Sequence, residues 1–280
     1  MTYLLVSVIV TVLAVIAMGA SARRETRLAK LATPTIFGVW VLWLWQAAVK
    51  GFGVPTILLP APTAIIAALG ANAGMLGEDF VQTVIRSVLP GYVLGCGAGF
   101  LMALAVDKSD FLKRGLMPLG NLVSAMPIIG IAPIAVMWFG FGWQSKAAVV
   151  AAMTFFPMLV NTSAGLAEAG VLERELMLSY AAPYATTLLK LRLPAALPHI
   201  FAALKLNTTL ALIGAVVAEF FGSPILGLGF RISTEAASLN LDIVWAAIVI
   251  VALTGSLSFA GLALLERAVT FWHPSYRNPN

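Results

Sequence analysis

The chain has 280 residues, 60% of them hydrophobic and only 10% charged, with a net charge of +5. A soluble domain carries about 25% charged residues, so this composition excludes a soluble globular core and points to an all-α polytopic membrane protein whose apolar side chains are solvated by lipid. The positive balance does not imply nucleic acid, because no basic run is interleaved with aromatics. With one cysteine, Cys96, and two distant histidines, His199 and His273, there is no internal disulfide and no evident metal-ligand set.

Membrane-spanning helices need about 20 mostly apolar residues, and about seven such segments follow in order. The first covers 3–20; its positive charges, Arg23, Arg24, Arg27 and Lys30, come after it, which argues against a cleaved leader. The second covers 31–49, with Trp40, Trp43 and Trp45 reading as an interfacial belt. Residues 51–79 are broken by Pro55, Pro60 and Pro62, with room for a short surface helix after Pro62. The third span, 83–106, is rich in Gly91, Gly95, Gly97 and Gly99, which let helix backbones approach closely in lipid. A short charged loop, DKSDFLKR, occupies 107–114. The fourth span, 116–139, holds Pro118, Pro127 and Pro133, which kink or interrupt a helix. The fifth, 147–166, contains Pro157. A polar stretch at 167–194 crosses no membrane. The sixth and seventh spans cover 196–221 and 243–265, and the remainder from Glu266 is polar.

Lysine and arginine concentrate in the segments after spans one, three, five and seven, whereas the other side carries Lys50, Arg86, Lys146 and Arg231. Cytoplasmic loops are the positive ones, so the N-terminus is expected outside and the C-terminus inside. The cytoplasmic stretch 167–194 then carries ELMLSYAAPYATTLLKLRLP, which can form one short helix over 173–180 and a second over 184–191, ended before Pro194. Such a pair makes either a surface for a partner protein or an ordinary connection.

The stretch from Glu175 to Pro194 resembles the cytoplasmic loop of permeases of bacterial ABC importers, whose signature is EAA, three residues, Gly, nine residues, Ile, one residue, Leu-Pro. Glu175 falls on the acid, Ala181 on the glycine, Leu191 on the isoleucine, and Leu193 and Pro194 on the Leu-Pro; Leu176 and Met177 replace the two alanines. The chain is similar, over about 58–265, to the branch importing nitrate, sulfonates, taurine and related small organic molecules. The matching segments are LLPAPTAI (58–65), the run with Thr83, Arg86 and Gly91, AMPIIGIAPIAVMWFGFGWQSK (125–146), FFPMLVNTSAGL (155–166) and AEFFGSPILGLGF (218–230). Residues 179–205 look like the sub-branch importing flat heterocycles such as pyrimidine vitamin precursors or riboflavin.

The resemblance implies N-terminal anchor helices at 1–57, a six-helix permease core at 58–266 with its coupling loop at 167–194, and a cytoplasmic tail at 267–280. It implies a permease that is no enzyme and holds no cofactor. Two copies would line a pathway in the bacterial inner membrane, and two ATP-binding subunits carrying ATP and magnesium would dock on the loops. A periplasmic or lipid-anchored solute-binding protein would deliver the substrate. The chain itself has no GxxxxGKS/T phosphate loop. An ion-coupled secondary transporter is the competing class, although no internal repeat of the kind such proteins carry is visible.

Among intramembrane polar residues, Glu219 either bonds within the bundle or lines the substrate path, with Arg86 a partner by depth. Asn161, Asn207, Thr208 and Thr209 read as hydrogen-bonding groups between helices, and Pro127, Pro133 and Pro157 as shaping helices beside the pathway.

Overall fold

The computed structural model describes residues 2–22, 27–124, 128–222 and 226–271. These are helical, in the order α1 (Thr2–Ala22), α2 (Arg27–Phe52), α3 (Pro62–Ala71), α4 (Ala73–Phe80), a π-helical stretch Val81–Val88, α5 (Leu89–Lys108), α6 (Asp110–Ser124), α7 (Ile128–Phe139), α8 (Trp143–Ala167), α9 (Val171–Ser179), α10 (Tyr184–Thr187), a second π-helical stretch Leu188–Arg192, α11 (Leu193–Gly222), α12 (Leu228–Ala237) and α13 (Leu241–Val269). Among the described residues five helical runs are long and apolar enough to cross a membrane: Ala32–Phe52, Ala73–Lys108, Trp143–Ala167, Tyr184–Gly222 and Leu241–Val269. The other two expected spans take different forms. In α1 the described apolar stretch is Ile9–Ser21, and 116–139 is divided between α6 and α7; Pro127 lies outside the described residues.

The chain forms two compact units, one of Met1–Leu76 with Arg231–Ile248 and one of Gly77–Phe230 with Val249–Asn280. In the first, α1 and α2 pair as a hairpin. Polar side chains hold it across otherwise apolar faces: the Ser21 and Thr33 hydroxyls lie 2.8 Å apart, and Trp40 Nε1 donates to Thr11 Oγ1 at 3.1 Å. Trp40 is therefore a tie between helices rather than a belt residue, and Trp45 packs its ring on Trp245 at 5.0 Å. The expected surface helix is α3, whose Pro62 stands at the first helical turn, where its missing N–H costs nothing.

The second unit is organised around α5, α8 and α11. Gly91, Gly95 and Gly99 recur every four residues, so they share one face of α5, and they are buried against α8. Gly97 points away and meets nothing. On the other side of α8, Asn207 of α11 donates to the Thr154 carbonyl at 2.8 Å and to Cys96 Sγ at 3.2 Å, bridging all three helices. Tyr92 of α5 donates to the Leu204 carbonyl at 2.8 Å. Asn161 bonds backward within its own helix, to the Pro157 carbonyl, and Thr209 is exposed; Thr208 bonds the Leu204 carbonyl of its own helix and also meets the Tyr92 hydroxyl of α5, so of the four polar groups expected between helices Asn207 and Thr208 carry that role.

Three boundaries differ from expectation for physical reasons. The third span begins at Ala73 rather than 83, because Asp79, which hydropathy reads as loop, is fully buried and accepts a backbone N–H from Gly227. The charged loop 107–114 contracts to the single residue Ser109, since α6 starts at Asp110, an acid that suits a helix N-terminus. Pro194 does not end a helix. The π-helical stretch just before it widens the turn, and the chain runs on into α11, so Tyr184–Gly222 is one helical run of 39 residues. Similarly, Glu266 does not open a polar tail. It is buried within α13 and pairs with Lys205 of α11 at 2.7 Å.

Candidate functional site

Helix α9 leaves the bundle immediately after α8. Glu173 in its first turn suits the positive end of the helix, yet none of its residues is buried. Leu172, Leu178 and Tyr180 are each at least 75% exposed and Leu176 is 55% exposed. Three leucines of one short helix and the tyrosine that caps it, all held in the open, mark an interaction surface. Glu175 is exposed on the same helix.

The turn after α9 explains the residue at 181. The amide of Ala181 donates to the Leu178 carbonyl at 2.9 Å and that of Ala182 to the Met177 carbonyl at 3.0 Å, the paired bonds of a Schellman cap. Such a cap puts its pivotal residue in the left-handed region, and Ala181 has φ 49°. This is where the importer signature places glycine, so the replacement concerns backbone conformation and not only the size of the side chain. Left-handed backbone costs a non-glycine residue about 1–2 kcal/mol, partly offset by the greater freedom of unfolded glycine. Ala181→Gly should therefore stabilise the cap by about 0.5–1 kcal/mol, read as slower hydrogen exchange at residues 181 and 182; unchanged or faster exchange would contradict the strained cap.

The return limb is held more firmly. Arg192 grips Asp107 with both terminal nitrogens, at 2.7 and 2.5 Å, while its Nε donates to the Leu166 carbonyl at 3.0 Å. Tyr184 donates to the same Asp107 carboxylate at 2.7 Å. Leu193 packs on the cluster of Cys96, Met158, Leu166, Ala196 and Ile200, and Leu191 and Pro194 are half-buried. Glu175, Ala181, Leu191, Leu193 and Pro194 thus divide between an exposed outgoing limb and an anchored return limb.

A second polar cluster lies at the other end of α8 and α11. Glu219 is buried, and its carboxylate accepts from Thr83 Oγ1 at 2.8 Å and from the Gly229 amide at 2.8 Å. Thr83 in turn accepts from the Leu228 amide at 2.8 Å. Gly227 donates to Asp79 at 2.8 Å and has φ 134°; a Cβ there would also sit 2.6 Å from the Glu219 carboxylate. Lys146 is buried and donates to the carbonyls of Phe141, at 2.7 Å, Gly142, at 3.2 Å, and Gly222. The last lies at the end of α11, where carbonyls have no partner within their own helix. Its charge also interacts with Glu219. Both acids and the lysine are engaged with the bundle. Among the described residues Arg86 is not a partner of Glu219: it is exposed and reaches Gln82 at 3.4 Å, because Thr83 and Ser87, not Arg86, lie on the buried face of the π-helical stretch.

Sequence reasoning therefore missed Asp79, Thr83, Asp107, Lys146 and Tyr184 as site residues and counted Arg192 only as a loop charge. For Lys146 a signal existed: it is an isolated charge at the edge of an apolar run. The pairing of Asp107 with Arg192, 85 residues apart, had none.

The model of the binding-protein-dependent transport system inner membrane component matches residues 91–271. The chain is 30% identical over 239 residues to the formylaminopyrimidine transport permease protein of Halalkalibacterium halodurans, covering 85% of this chain and 95% of the relative. It is 29% identical over 240 residues to the riboflavin transport system permease protein of Chloroflexus aurantiacus, covering 84% and 88%. It is 27% identical over 254 residues to the taurine transport system permease protein of Escherichia coli, covering 89% and 91%. With the family model spanning well over half its length, the chain belongs to the inner membrane components of binding-protein-dependent transport systems, and is an ABC transporter permease for small solutes.

Proposed function

We propose that the chain is the pathway-forming subunit of an importer for a flat heterocycle, and that ATP-driven movement enters through the loop carrying Glu175. The observation that carries this reading is α9, which holds Leu172, Leu176 and Leu178 in the open beside Glu175 while the following limb is tied into the bundle. Two copies line the pathway. Two ATP-binding subunits, which hold the ATP and magnesium, dock on α9, and a solute-binding protein delivers the substrate from outside. The N-terminus lies outside the bacterial inner membrane and the C-terminus in the cytoplasm, so α9 faces the ATPases. This chain binds no cofactor and breaks no covalent bond; its part is to exchange inward-open and outward-open arrangements.

The substrate class is supported by two relatives named for formylaminopyrimidine and riboflavin, both flat nitrogen heterocycles, in agreement with the resemblance of residues 179–205. Inverted vesicles are the wrong polarity for import, so the test uses proteoliposomes with the ATPase on the ATP-accessible face and the solute-binding protein on the other. ATP should drive uptake of labelled riboflavin or formylaminopyrimidine, and Glu175→Lys should reduce both uptake and ATPase co-purification at least about tenfold, since reversing an interface charge commonly costs more than 1.4 kcal/mol. Uptake of taurine instead would move the substrate class. Uptake driven by an ion gradient without ATP would remove the importer reading, and undiminished ATPase binding by Glu175→Lys would remove the loop assignment.

A further inference from the structure

The exposed limb is only lightly attached to the bundle through its own side chains. Helix α9 has no buried residue, and its side-chain tie back to the bundle is Arg174 to the Ala167 carbonyl at 3.2 Å, in an exposed setting. Helix α9 joins α8 through residues 168–170, with Ala169 buried, and joins the return limb through the turn at 180–183, so how much of its displacement the second route delivers depends on how that limb is held. There it meets a different kind of contact. The Arg192 guanidinium uses all three of its N–H edges, two on Asp107 and one on the Leu166 carbonyl. The two side chains are 16% and 12% exposed, so the pair is shielded from the screening that weakens surface ion pairs. Asp107 is at the end of α5 and Leu166 at the end of α8, so one side chain clasps the termini of two packed helices, where a cation is favoured.

Tyr184 joins the same carboxylate from eight residues earlier. Eight α-helical steps turn about 800°, which would leave the two side chains about 80° out of register. The wider turns of Leu188–Arg192 bring the sum back close to two full turns, placing Tyr184 and Arg192 on one face. A π-helical stretch within a longer helix is a frequent mark of a functional position, and here its effect is to aim two donors at one acid.

We propose that Asp107 and Arg192, with Tyr184 as support, are positioning residues for transport: they lock the return limb of the loop onto α5 and α8, so that movement imposed on α9 is delivered to the bundle instead of being absorbed at the turn. This rests on the reading of the loop as the ATPase contact. A bidentate arginine–carboxylate pair fixes orientation as well as distance, which lysine, a point charge on a flexible stem, does not. Asp107→Asn and Arg192→Lys thus retain size and, for the latter, charge, while losing the fork.

The test uses the full chain with its ATPase subunits and reads the end of α7 at the far side of the bundle. Phe139 is 54% exposed and Cys96 is buried, so Phe139→Cys gives a reporter for a maleimide probe, with the parent chain as background. Trapping with ATP and vanadate should change the labelling rate by at least about fivefold. In Asp107→Asn and Arg192→Lys the change should shrink to less than about twofold while the ATPase still co-purifies, and Tyr184→Phe, which loses one bond, should fall between. A full response in both charged-pair variants would overturn the clasp and leave the loop reading standing. Loss of the ATPase from those variants would also overturn it, because the pair would then serve docking and not transmission. No response with the pair intact would remove the loop reading itself, and the clasp with it.

Discussion

Lys146→Met should destabilise the protein by about 3–5 kcal/mol, the range found when one member of a buried charged arrangement is removed. Methionine has the length of lysine without its donors, so the packing of α8 is kept while the carbonyls of Phe141, Gly142 and Gly222 lose their shared partner. Gly142 keeps the Ser145 hydroxyl as a donor and Phe141 is exposed, so the loss falls mainly on the Gly222 carbonyl, at about 1–3 kcal/mol for a buried acceptor left without its donor, and on the acid that loses its cation. Glu219 would at the same time lose the cation whose charge it shares the site with. Thermal or denaturant unfolding in detergent measures the effect. Adding Glu219→Gln to the same chain should cost less than the sum of the two single changes, because neighbours in one network are not additive. A loss below about 1 kcal/mol for Lys146→Met would mean that the Gly222 carbonyl has another donor and that the lysine does not hold this end together.

The second large effect is expected at Gly95. A Cβ added there would lie 2.5 Å from the Ala151 carbonyl oxygen and 2.8 Å from the Ala151 Cα, and neither is the tip of a flexible side chain that can move aside. Gly95→Ala should therefore push α5 from α8 at a cost of about 3 kcal/mol, the upper part of the usual range for overpacking. Gly97→Ala, two residues along the same helix, meets nothing within 4 Å and should stabilise by up to about 1 kcal/mol, since alanine favours helix over glycine. Opposite signs for two identical substitutions, measured in one unfolding assay, would establish which face of α5 is packed. Equal effects would show that the glycines act through helix propensity alone.

The membrane class and the positions of five long helical runs were legible because they depend on composition and length, which lipid makes almost sufficient. The close approach of α5 to its neighbour was legible from glycine content, but only the four-residue spacing separates Gly91, Gly95 and Gly99 from Gly97. What escaped is where one local rule met another. Pro194 reads as a helix stop, yet the π-helical stretch before it absorbs the missing donor. Ala181 reads as a mild replacement for glycine by size, whereas its φ of 49° makes it a conformational one. Arg86 and Thr83 stand one turn apart at similar depth, and charge favours the arginine as a partner for Glu219. The face of the helix decides otherwise, and a hydroxyl and a backbone amide meet the acid. The contact of Asp107 with Arg192 depends on the tertiary fold and has no local trace.

The continuity of the run from Tyr184 to Gly222 has a mechanical consequence. At 1.5 Å per residue, 39 residues make a rod about 58 Å long, nearly twice the hydrocarbon thickness it must cross. Arg192 and Asn207 fasten it to α5 and α8 at two points, so these helices tilt with it. Tilting such a rod by about 5° moves one end relative to the other by about 5 Å, comparable to the rise of a full helical turn. A modest swing at the Tyr184 end is thus carried along the whole rod to the end that bears Glu219.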